Sequence, residues 1–204
     1  MLEPLSNTFQ NVINFTWPMI VISAVIMISF RTIYLVTNHE KIVLYKELSM
    51  LIFSIYILCL FQVVTFQDDT AWASNNFIPF KEILRYNITS RLFIKNVLGN
   101  MIMFLPFGFF TSWFLRSEKK LYPMILTIIA SLSIELVQLV SGRVFDVDDI
   151  MLNIVGGLIG YYIYAIMRTV RNKFPNICTN EIFLDILSVL VLIGLIVFIV
   201  MLFI

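Results

Sequence analysis

The chain is poor in the residues that build soluble domains and metal centres. Only 13% of its 204 residues are charged, and one histidine, His39, stands beside Glu40 and Lys41 in a charged turn typical of a solvated side chain. A net charge of +1 gives no electrostatic basis for a nucleic-acid partner. With one histidine and no cysteine–histidine metal spacing, the sequence predicts no metal site and no cofactor.

Cysteine is scarce as well. Cys59 lies inside an apolar run and Cys178 lies in a polar loop, so no disulfide framework is expected. The N-terminal stretch MLEPLSNTFQ has no basic region ahead of its apolar run, and that run is long enough to span a bilayer. We therefore expect no cleavable signal peptide.

Apolar side chains are abundant instead. Hydrophobic residues make up 60% of the chain, and the mean hydropathy is +0.93, whereas soluble domains are about 45–50% apolar. A membrane-spanning helix needs about 20 consecutive apolar residues. Such runs fall near 14–36, 48–66, 93–115, 121–141, 150–170 and 183–204. The sequence predicts an all-α fold, a polytopic membrane bundle of about six transmembrane helices that forms a single domain over residues 1–204.

The basic residues of the loops predict the orientation of these helices. Nine of the 14 lysines and arginines fall on one side of the predicted topology and five on the other. Loops rich in lysine and arginine remain in the cytoplasm. We therefore expect both termini and the loop of residues 142–149 to be extracellular.

Polar residues interrupt the apolar pattern in IELVQLVSGRVFDVDDIMLNIVGG, residues 134–157. Glu135 precedes Ser141 by six residues, which places it roughly 9 Å below the end of its helix. A carboxylate near the centre of a span costs about 2.5–3.5 kcal/mol, so it must face the protein interior. Ser131, Glu135 and Gln138 share one helical face. Arg143 is the expected partner of Glu135, in a structural clamp or in a functional site.

The next polar residues surround the start of the fifth span. Asp146 is placed to cap that helix, with Asp148 and Asp149 in its first turn, where the helix dipole favours carboxylates. Gly156 and Gly160 form a GxxxG pattern typical of close helix contact. The third and fifth spans add amides toward the same membrane surface. We expect a common polar binding site that consists of Asn96, Asn100, Glu135, Gln138, Arg143, Asp146, Asp148, Asp149 and Asn153.

A loop segment accompanies this site. NNFIPF, residues 75–80, lies near Trp72 and Tyr86, and amphipathic aromatic side chains favour the headgroup region of a membrane. The segment is expected either to cover the polar site or merely to adsorb at the membrane surface.

Together these motifs resemble the VanZ-like family of small bacterial membrane proteins. The matching stretches are NNFIPF at 75–80, NVLGNMIMFLPFGF at 96–109, SLSIELVQL at 131–139 and GRVFDVDDIMLNIVGGLIGY at 142–161, within a core of about residues 75–165. The resemblance implies a multipass protein of the bacterial cell membrane that reduces susceptibility to glycopeptide antibiotics such as teicoplanin. No firmly established reaction accompanies the family. The resemblance therefore implies a functional cluster without individual roles, namely Glu135, Gln138, Arg143, Asp146, Asp149 and Asn153.

We expect a non-enzymatic function in which an outward-facing polar site binds a cell-envelope component. Its partners would be membrane lipids together with a cell-wall precursor, an anionic envelope polymer or the antibiotic itself. The alternative is an intramembrane enzyme that modifies an envelope lipid, with Glu135 as general acid and base. A small carrier and a scaffold whose polar cluster only holds helices together are also left open, although carriers usually hold substrate near the bilayer midplane.

Overall fold

The protein is helical throughout most of its described length. The computed structural model describes residues 3–65, 75–87, 90, 93–175, 180–186, 188–190 and 193. Its helices are α1 (Glu3–Thr37), α2 (Leu44–Thr65), α3 (Lys81–Arg85), α4 (Gly99–Leu115), α5 (Leu121–Val140) and α6 (Val147–Lys173), and a π-helical turn, Ile94–Leu98, leads directly into α4. The all-α prediction is confirmed.

Five of these helices are long and apolar enough to cross a membrane. The candidate spans are Trp17–Thr37, Leu44–Gln62, Asn96–Leu115, Leu121–Val140 and Val147–Lys173. They correspond to the first five predicted spans. Of the sixth, 183–204, residues 183–186 and 188–190 are helical, and nearly all of the rest lies outside the described residues.

The chain divides into two compact units, of which the first comprises Met1–Gln67 and Arg171–Ile204. In this unit Arg31 binds Glu47 in a bidentate ion pair, with Nε to Oε2 at 2.8 Å and Nη2 to Oε1 at 3.0 Å. The backbone N–H of Tyr45, in the first turn of α2, donates to Asp185 Oδ1 at 2.8 Å. Such an N–H has no acceptor within its own helix, so Asp185 caps α2. The expectation of a single domain stays a prediction.

The second unit, Asp68–Val170, contains α3, α4, α5 and most of α6. In this unit α5 buries a polar face and exposes an apolar one, such as Leu136 and Val140, which are 56% and 88% exposed. In lipid this pattern is favourable because polar side chains need partners inside the protein. The predicted polar face of α5 is thereby confirmed. Its buried residues are Pro123, Thr127, Ser131, Glu135 and Gln138.

Glycine brings the backbones of α4 and α6 into direct contact. A Cβ atom on Gly156 would overlap the carbonyl oxygen of Met101, and one on Gly160 would overlap that of Leu105. The close packing predicted from the GxxxG pattern is therefore observed, and its partner is another helix of the same chain.

This contact predicts a marked difference between two glycine-to-alanine substitutions. Gly160→Ala forces α4 and α6 apart and should lower the free energy of unfolding by about 1–3 kcal/mol, the usual cost of overpacking. Gly99→Ala is the matched control, because the nearest atom to its Cβ would be Ile94 O at 3.8 Å. Thermal unfolding of the purified protein in detergent measures both. Equal unfolding midpoints for the two variants would contradict the packing described here.

Candidate functional site

A glycine turn at the end of α5 positions Arg143. Gly142 has φ +82°, a conformation that residues with a side chain rarely adopt. Its N–H donates to Leu139 O at 3.2 Å, and the N–H of Arg143 donates to Gln138 O at 2.9 Å. These two bonds form a Schellman motif, which satisfies the last carbonyls of the helix. The turn folds Arg143 back toward the last turn of α5.

Gln138 links Arg143 to the buried Glu135. The side-chain amide of Gln138 is assigned with its nitrogen toward Glu135, because this orientation satisfies both of its ends. Gln138 Nε2 then donates to Glu135 Oε1 at 3.1 Å, and Gln138 Oε1 accepts from Arg143 Nη1 at 3.1 Å. Glu135 Oε2 accepts the backbone N–H of Asp146 at 2.9 Å. Glu135 is only 1% exposed, and each of its oxygens has a donor.

Asp146 caps α6, as the sequence predicts. Its Oδ1 accepts the N–H of Asp148 at 2.9 Å and the Nδ2 group of Asn76 at 2.8 Å. The N–H of Val147 donates to Asn76 O at 3.0 Å. Since the first N–H groups of a helix have no acceptor within it, Asp146 and Asn76 together complete the start of α6.

Asp148 caps a different helix. It lies in the first turn of α6 as predicted, but its carboxylate accepts three backbone N–H groups at the start of α3. Phe80 N donates to Oδ1 at 2.5 Å, and Glu82 N and Ile83 N donate to Oδ2 at 2.8 and 3.2 Å. Asp148 is 1% exposed. The segments around residues 76–83 and 146–148 therefore cap each other's helices, an arrangement that we call the reciprocal cap.

The reciprocal cap fixes one end of segment 75–87, and Asn96 fixes the other. Asn96 Nδ2 donates to Tyr86 Oη at 2.9 Å, while Asn76 N donates to Phe145 O at 2.8 Å. This segment therefore packs against the start of α6, near the predicted site. Asn76 lies in the NNFIPF motif but is not among the predicted site residues.

A second polar group lies further along α6. Asn100 Nδ2 donates to Asp149 Oδ1 at 2.5 Å, and Asn153 Nδ2 donates to Ser131 Oγ at 2.9 Å. Asp149 and Asn153 are one turn apart, a rise of about 6 Å. We call Asn100, Ser131, Asp149 and Asn153 the polar ladder. Among the described residues, the one buried side-chain polar atom without a hydrogen-bond partner is Asn153 Oδ1.

The structure thus places all nine predicted site residues in the second unit, where they fall into three groups. Five belong to the network of the reciprocal cap, three belong to the polar ladder, and Asn96 binds Tyr86. Within the described part of the chain, no group of three or more histidine, cysteine, aspartate or glutamate side chains is arranged to hold a metal ion. The reciprocal-cap network contains Glu135, Gln138, Arg143, Asp146 and Asp148, and the ladder contains Asn100, Asp149 and Asn153.

Burial raises the pKa of Asp146, which lies just before the span Val147–Lys173. Removal from water raises the pKa of its carboxyl group above the ordinary value of 3.8, because burial penalises the charged form. The hydrogen bonds from the Asp148 N–H and the Asn76 side chain oppose this shift, and the negative charges of Asp148 and Glu82 add to it.

Comparison with models of protein families gives a match. The VanZ/LLP1 family model matches residues 50–168, a range that covers more than half of the chain and includes all nine candidate site residues. No curated protein and no solved structure matches the chain.

The reciprocal cap predicts that asparagine destabilises the protein more at position 148 than at position 146. In Asp148→Asn, an NH₂ group replaces one of the two oxygens that accept backbone N–H groups in the wild type. At least one of these N–H groups loses its acceptor, so the free energy of unfolding should fall by about 2–3 kcal/mol. In Asp146→Asn, the remaining oxygen can still accept both the Asp148 N–H and the Asn76 side chain. This change should therefore lower the free energy of unfolding by less than about 1 kcal/mol. Thermal unfolding in detergent distinguishes the two isosteric changes. An equal loss at both positions would show that Asp148 does not hold α3.

The raised pKa of Asp146 predicts that the stability difference between the wild type and Asp146→Asn depends on pH. The folded state binds the Asp146 proton more tightly than the unfolded state, so this group contributes stability at low pH that is lost as pH rises from about 3.8 through the raised pKa. The unfolding midpoint of the wild type should therefore fall relative to Asp146→Asn as pH increases over this range. A difference that is constant, or that grows in favour of the wild type, would contradict the shift.

Proposed function

Because the chain belongs to the VanZ/LLP1 family, we propose that it is a bacterial cell-membrane protein that reduces susceptibility to glycopeptide and lipoglycopeptide antibiotics. In this proposal the protein binds a cell-envelope component at the polar ends of α4, α5 and α6. The family match and the five candidate membrane spans support the class of protein. The contacts of the polar ladder support the binding site.

The observation that carries the proposal is the unpaired oxygen of Asn153. Asn153 is 4% exposed, and its Oδ1 lacks a donor within the described part of the chain. An unsatisfied buried acceptor costs about 1–3 kcal/mol, and such groups in native proteins call for an explanation. A hydroxyl or ammonium group of a bound molecule would supply the missing donor.

The remaining groups match an envelope component with both donor and anionic groups. The carboxylate of Asp149 and the amide oxygen of Asn153 accept hydrogen bonds from hydroxyl or ammonium groups. Arg143 lies nearer the helix ends and is half-buried, and a guanidinium pairs well with phosphate or carboxylate. A lipid-linked cell-wall precursor and an anionic envelope polymer both carry this combination of groups.

The predicted orientation agrees with this function. The distribution of basic residues favours an extracellular position for the 142–149 loop and for both termini. Glycopeptide antibiotics act on cell-wall precursors outside the membrane. A binding site on that side would meet the precursor where the drug does.

The contacts of Glu135 favour a positioning role over general acid–base catalysis. Its two oxygens accept from the Asp146 N–H and from Gln138, so both oxygens are already used within the protein. A catalytic acid must reach the substrate atom to which it transfers a proton. The enzymatic alternative with Glu135 therefore has less support than binding.

Asn153→Leu tests the proposal, because it replaces the amide by an apolar group of similar shape. Removing the unpaired acceptor is favourable, whereas losing the Nδ2 bond to Ser131 Oγ is unfavourable. The two effects oppose each other, so the protein should stay folded and its free energy of unfolding should fall by at most about 1–3 kcal/mol. The loss of one hydrogen bond should weaken ligand binding roughly two- to tenfold. We expect wild-type protein to raise the teicoplanin concentration that inhibits a strain lacking the gene, and Asn153→Leu to lose most of that gain.

Ser133→Ala is the matched control. Ser133 lies on the exposed face of α5, and its Oγ donates only to Ile129 O of the same helix, so this variant should retain the full gain in teicoplanin tolerance. Membrane abundance and thermal unfolding establish that all variants are folded. A folded Asn153→Leu variant with wild-type tolerance would indicate that only an internal water occupies the site. If wild-type protein does not change susceptibility at all, the proposed function is wrong.

A further inference from the structure

Segment 75–87 presents an apolar surface that the described part of the protein leaves exposed. Four large apolar side chains of the segment are exposed, whereas Asn76 is buried and pairs with Asp146. The outward side chains are Phe77, Ile78, Phe80 and Leu84, which are 68%, 63%, 52% and 81% exposed. Four such residues lie within eight positions, and clustered exposed apolar side chains mark interaction sites. We call these four residues the apolar patch.

The position of the segment along the membrane normal follows from its two attachments. Asn76 is bonded to Asp146, the residue immediately before the span Val147–Lys173, and Tyr86 is bonded to Asn96, the first residue of the span Asn96–Leu115. The starts of two candidate spans therefore hold the segment at the level where the hydrocarbon region begins. A patch at that level faces the headgroups and the upper parts of the acyl chains.

The backbone at Phe80 indicates that this exposure is maintained against strain. Phe80 has φ +66°, in the left-handed region that bulky side chains rarely adopt. The bond from its N–H to Asp148 helps to hold this conformation. Glycine or asparagine would fit the turn with less strain, and an exposed phenyl ring gains little from the protein in return. An apolar environment outside the protein would supply the gain.

Charged side chains on the same segment complement a lipid surface. Lys81 is exposed, and the side chain of Arg85 is 73% exposed even though its Nη1 lies 3.3 Å from Glu82 Oε2. Lys81 directly follows Phe80, and Arg85 directly follows Leu84. Long basic side chains beside apolar ones are typical of segments that lie in the membrane interface, where they reach lipid phosphates.

We propose that segment 75–87 is an interfacial anchor that lies in the leaflet at which α6 begins. Phe77, Ile78, Phe80 and Leu84 insert at the boundary between headgroups and acyl chains. Lys81 and Arg85 bind the phosphates of anionic lipids. The occupant of this surface is the lipid leaflet itself, and the contact does not depend on the ligand of the polar ladder.

Fluorescence quenching in nanodiscs tests this proposal. Ile78→Cys and Leu84→Cys, each in a full-length chain with Cys59 and Cys178 replaced by alanine, carry an environment-sensitive fluorophore. Glu118→Cys is the control, because Glu118 has an 81% exposed side chain in the loop between α4 and α5. We expect lipids with a doxyl group on the upper acyl chain to quench positions 78 and 84 more than iodide does, and the reverse order at position 118.

Stronger iodide quenching at both test positions overturns the proposal, and the patch would then be a surface for a partner protein. Lipid charge gives a second readout that does not depend on labelling at one site. In nanodiscs that contain phosphatidylglycerol, the double variant Lys81→Gln, Arg85→Gln should lose lipid quenching at position 84, with little loss in pure phosphatidylcholine. Equal quenching with and without the two basic residues in both lipids would refute their role as phosphate ligands.

Discussion

The carboxylate of Asp148 is the contact on which this end of the protein depends. It accepts three backbone N–H groups at the start of α3, a helix of five residues that is too short to be stable by itself. In the same contact region, Asn76 and Asp146 supply acceptors for the start of α6. Buried N–H groups without acceptors are costly, so the two helix starts are satisfied only when they are together.

This dependence divides the polar cluster into residues that support and residues that can bind. Glu135, Asp146 and Asp148 use their oxygens on backbone N–H groups or on Gln138. Conservative substitution of these three residues should affect the stability of the protein more than its binding of a ligand. The polar ladder differs, because Asn153 retains an acceptor without a donor in the described residues. A single cluster of acids and amides thus contains both a structural network and a candidate ligand site.

Close packing limits the depth of that candidate site. Beyond Asn153, the backbone of α6 at Gly156 and Gly160 touches that of α4 at Met101 and Leu105, which leaves no space between the two helices at that level. The carboxylates and side-chain amides of the cluster therefore end near one side of the spans. This arrangement favours binding at one membrane surface over transport, since carriers usually hold substrate near the midplane.

The sequence by itself determined the membrane class, the first five spans, the buried face of α5 and the cap at Asp146, because hydropathy, helical period and capping are local properties. Only the tertiary structure decided what each carboxylate binds. Asp148 in a first turn is equally suited to the dipole of its own helix, and its use on α3 depends on a segment more than 60 residues earlier. Likewise, the unpaired oxygen of Asn153 follows from the contact between α5 and α6, which no local pattern encodes.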